Sequence, residues 1–297
     1  MAMDKARMDS LKGSRFEETA CSADTHTSYS IDTCLWAGKT KYSDVVIAKS
    51  PIYGKILFTD GELQSAETDE RIYHEFLVHP IINSTSNIND KRVLIVGGGE
   101  GATAREVLRW PPGQVKEVVW VDIDQELVDL SRKYLKFAPD ATYNDPRCTF
   151  QCADIRKFLA ENTKPFDIII LDLPDPDVEY LRENDASDEE YELYSSEFWK
   201  MVKKNLTATG QFVTHTGPIA PGKDFSKWKG GLEWINKHAS VPLSTAYHIN
   251  VPSFQSEWGF WMSLPPSHIG RFPKDVTVID TYCQMQAFGW PTYWFQL

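Results

Sequence analysis

From residue 68 onward, short apolar runs alternate with segments whose apolar residues recur at helical spacing. The runs predict strands at 93–96, 118–121, 149–152, 168–171, 211–215, 245–251 and 260–264. Helices are predicted at 68–83, 103–108, 125–135, 155–161 and 195–205. Alternation of buried strands with helices is typical of a parallel sheet covered on both faces. The pattern therefore predicts an α/β fold with a doubly wound sheet.

The chain before this region has a different pattern. The segments DVVIAKS, KILFTDG and ELQSAE are short, β-rich and separated by turn residues, which indicates antiparallel hairpins. The first 25 residues are polar and aperiodic, as in a flexible arm. We therefore predict a flexible arm at 1–25, a small antiparallel β-domain with a linking helix at 26–82, and the doubly wound domain at 83–297.

Composition narrows the class of protein. A chain of 297 residues with 42% hydrophobic content can bury one large core. No apolar run reaches the ~18 residues of a membrane span, and the first residues lack the apolar stretch of a signal peptide. Five cysteines at scattered spacings suit reduced thiols. We expect a cytoplasmic protein with no membrane partner.

Charge points to a cationic ligand. The net charge of −11 argues against nucleic acid as a partner and is compatible with a cationic small molecule. Between Asp172 and Glu192 the chain carries ten acidic residues and one basic residue, Arg182. This acidic segment is interpreted either as a solvated surface loop or as a lid that attracts a polycation.

A glycine-rich turn follows the first strand of the large domain, in VLIVGGGEGATARE. Gly97, Gly99 and Gly101 let the backbone approach a ligand closely. Asp122 follows Gly101 by 21 residues, at the end of the next strand, where a carboxylate can accept both hydroxyls of a ribose. The same pattern also fits a tight turn with no ligand. Glu100 would repel a pyrophosphate but attract a cationic sulfonium nucleoside.

Carboxylates end three of the predicted strands. Asp122, Asp154 and Asp172 are expected at one edge of the sheet, where such folds bind ligands. Asp154 could alternatively be only the N-cap of the next helix. The sequence DLPDP places Asp172 and Asp175 on a turn stiffened by prolines, which suits a general base. An alkylamine, with a pKa of about 10, must lose a proton before it can attack carbon.

Together these motifs resemble the polyamine aminopropyltransferases, the spermidine synthase family, and within it the thermospermine branch. The resemblance is carried by LQSAETDERIYHE at 63–75, GGGEGATARE at 97–106, DIDQELVD at 122–129, the DLPDP turn and VPSFQSEWGF at 251–260. It implies a Rossmann-like sheet of the class I methyltransferase type. It also implies decarboxylated S-adenosylmethionine as co-substrate, methylthioadenosine as a product, and neither a metal nor a tightly bound cofactor.

The resemblance also implies roles for particular residues. The donor would be bound by the glycine turn, His74, Glu100, Asp122, Asp154 and the backbone of Ile155. Asp172 would be the catalytic base, assisted by Asp175 and Tyr73, and the amine channel would be lined by Gln64, Phe254 and Trp258. Structural alternatives are a core role for Tyr73 and His74 on their helix, and simple aromatic packing for Phe254 and Trp258.

Two departures from the family pattern affect the substrates. Members usually have Tyr-Gln where this chain has Tyr42-Ser43, which shortens one contact near the donor. After DLPDP, the usual glycine-proline stretch is replaced by the acidic segment 177–192. The resemblance favours spermidine as acceptor, giving thermospermine, with putrescine, giving spermidine, as the alternative.

Two other functions compete with this one. An S-adenosylmethionine-dependent amine N-methyltransferase uses the same scaffold, but Glu100 should repel the carboxylate of the intact donor. A non-catalytic polyamine-binding homologue would not need a base beside the amine. The edge strands of the β-domain and the aromatic tail AFGWPTYWFQL suggest a homodimer or homotetramer.

Overall fold

The chain folds around a small antiparallel sheet and a large, mostly parallel sheet. The structure, a computed structural model, describes residues 3–18, 27–85, 89–175, 193–219, 223–239, 244–263, 272–273 and 275–289. The strands are β1 (Arg15–Glu17), β2 (Ser28–Ser30), β3 (Thr33–Lys39), β4 (Asp44–Ser50), β5 (Gly54–Thr59), β6 (Glu62–Ala66), β7 (Lys91–Gly97), β8 (Val115–Asp122), β9 (Cys148–Cys152), β10 (Phe166–Asp172), β11 (Leu206–Ile219), β12 (Thr245–Val251) and β13 (Ser256–Met262). The helices are α1 (Lys5–Leu11), α2 (Glu70–Ser84), α3 (Ala102–Leu108), α4 (Gln125–Leu130), α5 (Asp140–Tyr143), α6 (Ile155–Glu161), α7 (Ser196–Lys204), α8 (Lys223–Ala239) and α9 (Thr281–Ala287).

The large sheet has, within the described residues, the strand order β9-β8-β7-β10-β11-β13-β12. Its strands from β9 to β11 pair in parallel, and β13 runs antiparallel to both of its neighbours. This topology, together with the small antiparallel sheet, confirms the predicted Rossmann-like fold of the class I methyltransferase type.

Both faces of the central strands of the large sheet are buried. On β7, Val93 and Ile95 belong to the apolar cluster formed with α2 and α3, whereas Leu94 and Val96 belong to the cluster formed with α7 and α8. Successive side chains of a strand point to opposite faces, so a strand covered on both faces needs apolar residues at every position. This explains why the central strands are continuous hydrophobic runs in the sequence.

The order in which the chain adds strands to the sheet reverses between β7 and β10. From β7 the chain adds β8 and β9 on one side and then returns to add β10 and β11 on the other. Ligands of such sheets bind in the crevice outside the carboxyl ends of the strands at this point. Gly97 and Asp172, the last residues of β7 and β10, are register partners there.

The small sheet, in the order β3-β4-β5-β6, packs against the large domain. Its apolar face, which includes Trp36 and Ile47, contacts Ala102 and Leu135 beside the candidate ligand crevice. The Lys55 ammonium also donates to the carbonyl of Leu135 at 2.6 Å. The small sheet therefore borders the same crevice as the glycine turn.

The prediction of a flexible N-terminal arm is wrong for residues 3–18. Helix α1 packs on β3, the amide of Asp4 donates to the carbonyl of Ala37 at 2.8 Å, and Arg7 pairs with Asp44. The Phe16 ring stacks on Phe58 with centroids 4.1 Å apart. A few apolar side chains at irregular spacing are enough to anchor this segment, and they produce no periodic signal.

Helix α2, the predicted linking helix of the β-domain, packs in the core of the large sheet. Residues 76–78, 81 and 82 of α2 are fully buried in the core of the large sheet, although the division at 82/83 assigned α2 to the β-domain. The division stays a prediction, and this packing favours a boundary before Glu70.

Several element boundaries also differ from the prediction. The helix predicted at 125–135 ends as α-helix at Leu130 and continues as a π-helical turn over Ser131–Leu135. Strand β11 is longer than predicted, and α1, α5, α8 and α9 were not predicted. The acidic segment 177–192 and residues 290–297 of the aromatic tail lie outside the described residues. Among the helices described, none combines the length and apolar character required to cross a bilayer.

Candidate active site

Asp172 lies at the centre of the crevice and is held by three elements. The Tyr73 hydroxyl on α2 donates to Asp172 Oδ1 at 2.8 Å, and the Thr103 hydroxyl on α3 donates to Oδ2. The Asp172 carbonyl accepts from the amide of Gly98 at 3.0 Å. These contacts fix the carboxylate in one orientation at the end of β10.

The glycine turn is shaped by its closeness to Asp172. Gly97 has φ +79°, and a Cβ there would lie 2.1 Å from the Asp172 carbonyl oxygen. Gly98 has φ +70°, and a Cβ there would lie 2.8 Å from Oδ2 of the same residue. A side chain at Gly97 would displace the main chain of Asp172, and one at Gly98 would displace its carboxylate. At Gly99 and Gly101, the other predicted glycines, a Cβ would lie within 3.0 Å of Leu127 and 2.6 Å of Tyr143.

A cluster of ionisable groups lies beside this turn. Single ligand atoms of His74, Glu100 and Asp172 all lie within 4.8 Å of one another. Burial raises the pKa of Glu100 above its usual range; the charge of His74 opposes this shift and that of Asp172 adds to it. Burial also raises the pKa of Asp122, to about 7. So many acids in a partly dry crevice favour a cationic ligand.

His74 is positively charged near neutral pH because of Glu70. The buried imidazole contacts Glu70 through Nδ1, at 2.6 Å from the carbonyl oxygen and 3.0 Å from Oε2. Burial alone would lower the pKa of His74, but the hydrogen bond and charge of Glu70 raise it to about 9. A protonated imidazole has no lone pair to offer a metal ion, so the charge on His74 disfavours metal binding at this cluster.

Glu70 is in turn part of a buried network on α2 and α3. Arg105 binds both Glu70 oxygens, at 2.7 and 2.8 Å, and its Nε pairs with Glu106 at 2.7 Å. Glu106 also accepts from His79 at 3.1 Å, and these contacts, despite its burial, lower its pKa to about 2. The network satisfies charges that would otherwise be unpaired in the core.

Tyr73 forms an aromatic cluster with Phe254 and Trp258, the rings predicted to line the amine channel. Its ring centroid lies 6.1 Å from that of Phe254 and 6.5 Å from that of Trp258, and these two rings lie 4.5 Å apart. Burial and the charge of Asp172 hold the pKa of Tyr73 well above its usual range. Tyr73 therefore stays a hydrogen-bond donor. Aromatic faces beside carboxylates suit an alkylammonium chain.

The carboxyl groups of Asp175 and Glu62 lie near this aromatic cluster. Asp175, with 47% of its side chain exposed, lies 3.3 Å from Nδ1 of His215. Burial and the nearby charge of Asp175 raise the pKa of Glu62 on β6. Gln64, also on β6, donates to the carbonyl of Glu62 at 3.4 Å. Gln64, the predicted channel residue outside the aromatic cluster, thus lies on the small sheet.

The predicted adenosine residues lie further along the crevice. Asp122 accepts from the amide of Asp124 at 2.8 Å. Asp154 caps α6 by accepting from the amide of Arg156 at 2.9 Å, and it pairs with that guanidinium, so the capping alternative describes its present contacts. Ile155 begins α6 and is buried.

The turn that contains Ser43 lies on the same side of the site. Its Thr40 hydroxyl donates to Asp124 at 2.5 Å, two residues beyond Asp122. The departure Tyr42-Ser43 from the family pattern therefore falls beside the predicted ribose position.

Sequence reasoning missed several contributors to the site. These are Glu62, Glu70, Gly98, Thr103, Arg105 and His215. For His215 a usable signal existed, because it ends the strand predicted at 211–215 and so belongs to the same sheet edge as Asp122 and Asp172. Glu70 and Arg105 gave no such signal, since charged residues in helices are usually on the surface.

Two family models match consecutive parts of the chain. Residues 70–264 match the spermine/spermidine synthase domain, and residues 16–67 match the spermidine synthase tetramerisation domain. The chain is 36% identical over 252 residues to thermospermine synthase ACAULIS5 of Arabidopsis thaliana, covering 84% of this chain and 69% of the relative. It is 39% identical over 198 residues to a polyamine aminopropyltransferase of Synechococcus sp. (strain JA-3-3Ab), covering 66% of this chain and 60% of that relative.

Solved structures show the same fold. A spermidine synthase from Thermotoga maritima superposes with a TM-score of 0.76 at 21% identity, covering 94% of this chain and 92% of that one. A spermidine synthase in complex with the transition state analogue AdoDATO superposes with a TM-score of 0.78 at 22% identity, covering 94% and 93%.

Proposed function

The chain belongs to the spermine/spermidine synthase family, and on that premise we propose that it transfers the aminopropyl group of decarboxylated S-adenosylmethionine to a polyamine. The observation that supports this proposal is the pair of hydrogen bonds that Tyr73 and Thr103 donate to Asp172, at the point where the strand order of the sheet reverses. A fixed carboxylate beside an aromatic channel can bind an ammonium group and accept its proton.

The reaction needs positioning and electrostatics more than covalent catalysis. The amine nitrogen attacks the methylene beside the sulfonium, the new C–N bond forms as the C–S bond breaks, and the bonding electrons pass to sulfur in methylthioadenosine. Asp122 and the glycine turn are proposed to bind the nucleoside. Glu100 is proposed to hold the donor's ammonium, and Asp172 to deprotonate the attacking amine.

We propose spermidine as the acceptor, with thermospermine as the product. The similarity to a thermospermine synthase over 84% of this chain supports this choice. The aromatic wall of Phe254 and Trp258, from the VPSFQSEWGF segment, offers apolar surface for the methylenes of a longer amine. Putrescine remains the alternative acceptor.

An N-methyltransferase is the second candidate for the same fold. The donor of such an enzyme carries a carboxylate where the decarboxylated donor has only an ammonium arm. Glu100 and Asp172 would face that carboxylate with like charge, and His74 is already paired with Glu70. The electrostatics of the site therefore favour the decarboxylated donor.

The variant Asp172→Asn separates an enzyme from a polyamine-binding homologue. Asparagine keeps the size of the side chain but cannot accept a proton, so we expect kcat to fall about 10³-fold, within the usual range for loss of a general base. Donor affinity, measured by calorimetry, should change by less than about threefold.

Asp122→Asn is the matched control for this experiment. It alters a carboxylate at the neighbouring strand end and should instead weaken donor binding. An Asp172→Asn protein that turns over at the wild-type rate would contradict the assignment of the base.

We further propose that the protein assembles as a homodimer or homotetramer in the cytoplasm. The match to a tetramerisation domain at 16–67 supports assembly, and light scattering of the purified chain measures it. The described cysteines, Cys34, Cys148, Cys152 and Cys283, are free thiols, as suits a reducing compartment, and imaging of a tagged chain tests the location.

A further inference from the structure

His215 lies beside Asp175 at the acceptor end of the site, and none of the roles above uses it. The imidazole directly follows the last residue of the parallel ladder between β10 and β11, and His215 is 4% exposed. Its Nδ1 lies 3.3 Å from Oδ1 of Asp175, and its Nε2 contacts the carbonyl oxygen of Leu173. Both ring nitrogens therefore face oxygen atoms of the DLPDP turn.

These two contacts determine how many protons the pair can hold. A carbonyl oxygen only accepts, so Nε2 carries a hydrogen and donates it to Leu173. In the neutral ring Nδ1 then has a lone pair, which faces a carboxylate oxygen and has no hydrogen-bond partner among the described residues. A proton between Nδ1 and Asp175 would remove that repulsion. The two groups are thus close enough for a proton to pass between them.

The end of β11 is built to bring Asp175 to this position. The ladder with β13 shifts register between His215 and Gly217, which turns the strand at this point. Gly217 has φ +76°, and a Cβ there would lie 3.1 Å from Oδ2 of Asp175. The carboxylate is therefore seated against a glycine on one side and an imidazole on the other.

The side chains around the pair are aromatic rings and a few other titratable groups. The His215 ring stacks on Trp258 at 6.0 Å and meets the edge of Tyr73 at 5.8 Å, neither of which accepts a proton. The other titratable groups around the pair are Tyr73 on α2, Tyr194 before α7, Glu62 on β6 and Asp172 on β10. Both tyrosines stay protonated, because burial raises their pKa values.

We propose that Asp175 and His215 form a proton-accepting dyad for the acceptor amine, in which Asp175 binds the ammonium and His215 stores its proton. This proposal rests on the proposed aminopropyl transfer and names a second proton acceptor for it. The deprotonated dyad carries one negative charge and attracts the ammonium. The protonated dyad is neutral overall and attracts it less.

One turnover passes one proton through the dyad. The ammonium R–NH₃⁺ gives one proton through Asp175 to Nδ1 of His215 and becomes R–NH₂. This amine attacks the methylene and the C–S bond breaks, while Asp172 takes the second proton of the attacking nitrogen and returns it as the product leaves as a secondary ammonium. The imidazolium then releases its proton to solvent through the exposed face of Asp175. Activity should therefore rise with pH as the dyad loses its proton.

The variant His215→Gln tests the dyad. Glutamine can still donate to the Leu173 carbonyl but does not titrate. The acid limb of kcat/KM for spermidine should move to lower pH by about one unit or more, because Asp175 then titrates without a histidine. Product is measured by mass spectrometry between pH 5.5 and 9.5 with decarboxylated S-adenosylmethionine in excess. At the alkaline end kcat should fall by no more than about tenfold.

His248→Gln is the matched control. His248 pairs with Glu257 at 2.9 Å on neighbouring strands of the same sheet, outside the channel, so its replacement should leave the pH profile unchanged. A purely structural role for His215 would lower the rate of His215→Gln by the same factor at every pH.

A second measurement does not depend on activity. Long-range ¹H–¹⁵N spectra of protein labelled at histidine report the ring of His215, which the His215→Gln spectrum identifies. The proposal requires a hydrogen on Nε2, titration at Nδ1, and a titration midpoint that moves to lower pH in Asp175→Asn. A ring protonated at Nδ1 in its neutral form, or a midpoint unaffected by Asp175→Asn, would overturn the dyad even if no transfer activity were found. A normal titration in a protein without transfer activity would instead contradict the proposed function alone.

Discussion

At the scale of single residues, the charge of His74 links stability to the chemistry of the site. Glu70 raises the pKa of this buried imidazole from 6.5 to about 9, so the ring is positively charged near neutral pH. That charge lies beside Glu100 and opposes the rise in its pKa. His74 is therefore a fixed cation that partly offsets the effect of burial on the pKa of the donor-side carboxyl.

Replacing Glu70 tests this link. In the folded wild type His74 binds its proton more tightly than in the unfolded chain. The resulting stability is fully present below pH 6.5 and is lost as the pH rises through about 9. In Glu70→Gln this contribution disappears. The loss of unfolding free energy should be greater at pH 6 than at pH 10, by about 3 kcal/mol for such a shift.

Urea unfolding of both proteins at the two pH values measures this difference. Glu75→Gln is the matched control, because Glu75 is buried on the same helix and, within the described part of the chain, accepts hydrogen bonds from residues 277–279. Its destabilisation should not depend on pH in this way. If the cost of Glu70→Gln were equal at pH 6 and pH 10, His74 would not be protonated through Glu70.

At this scale the sequence was sufficient to predict positions that follow from the order of the strands. Asp172, Asp122 and Asp154 lie at strand ends, so the rule for parallel sheets placed them at one edge. It did not identify Glu70 or Arg105, because their partners are brought together only by the packing of α2 against α3. The assigned roles of the predicted residues remain proposals.

At the scale of elements, the turn between β7 and α3 determines where Asp172 lies. The turn wraps the end of β10 so closely that the position of Gly97 has no room for a side chain. The sequence pattern predicted a close backbone approach at this turn, but to a ligand. The structure shows that the carbonyl of Asp172 occupies the space next to Gly97.

Gly97→Ala tests this packing. The new Cβ would lie 2.1 Å from the Asp172 carbonyl oxygen in a left-handed conformation, so we expect destabilisation of about 2 kcal/mol or more and a loss of activity as Asp172 moves. Gly113→Ala is the control, because nothing lies within 4 Å of its Cβ position, and its effect should stay within about 0.5 kcal/mol. Equal effects of the two substitutions, measured by thermal unfolding, would contradict a special role for Gly97.

Helices and strands were predicted well where the apolar residues recur at a single helical or strand spacing. Helix α6 and strand β12 have the predicted bounds, and the central strands differ by a few residues at their ends. Helix α8 was not predicted, since its segment KDFSKWKGGLEWINKHA contains two adjacent glycines that weaken the helical signal. The short α1 was missed because its seven residues depend on tertiary contact with β3.

At the scale of the whole molecule, the fold concentrates negative charge at one crevice. Glu62, Glu100, Asp122, Asp172 and Asp175 come from widely separated parts of the chain and line the space between the two sheets. The net charge of −11 adds a long-range field that attracts polycations. The acidic composition was therefore enough to predict a cationic substrate. Only the fold shows that these carboxylates come together at one crevice.

We propose that this crevice transfers an aminopropyl group and not a methyl group. The most direct test incubates the purified protein with decarboxylated or intact S-adenosylmethionine, each with putrescine, spermidine or spermine, and identifies products by mass spectrometry. We expect an aminopropyl addition with the decarboxylated donor only, fastest on spermidine and accompanied by methylthioadenosine. A methyl addition from the intact donor, or no product from either donor, would contradict the account.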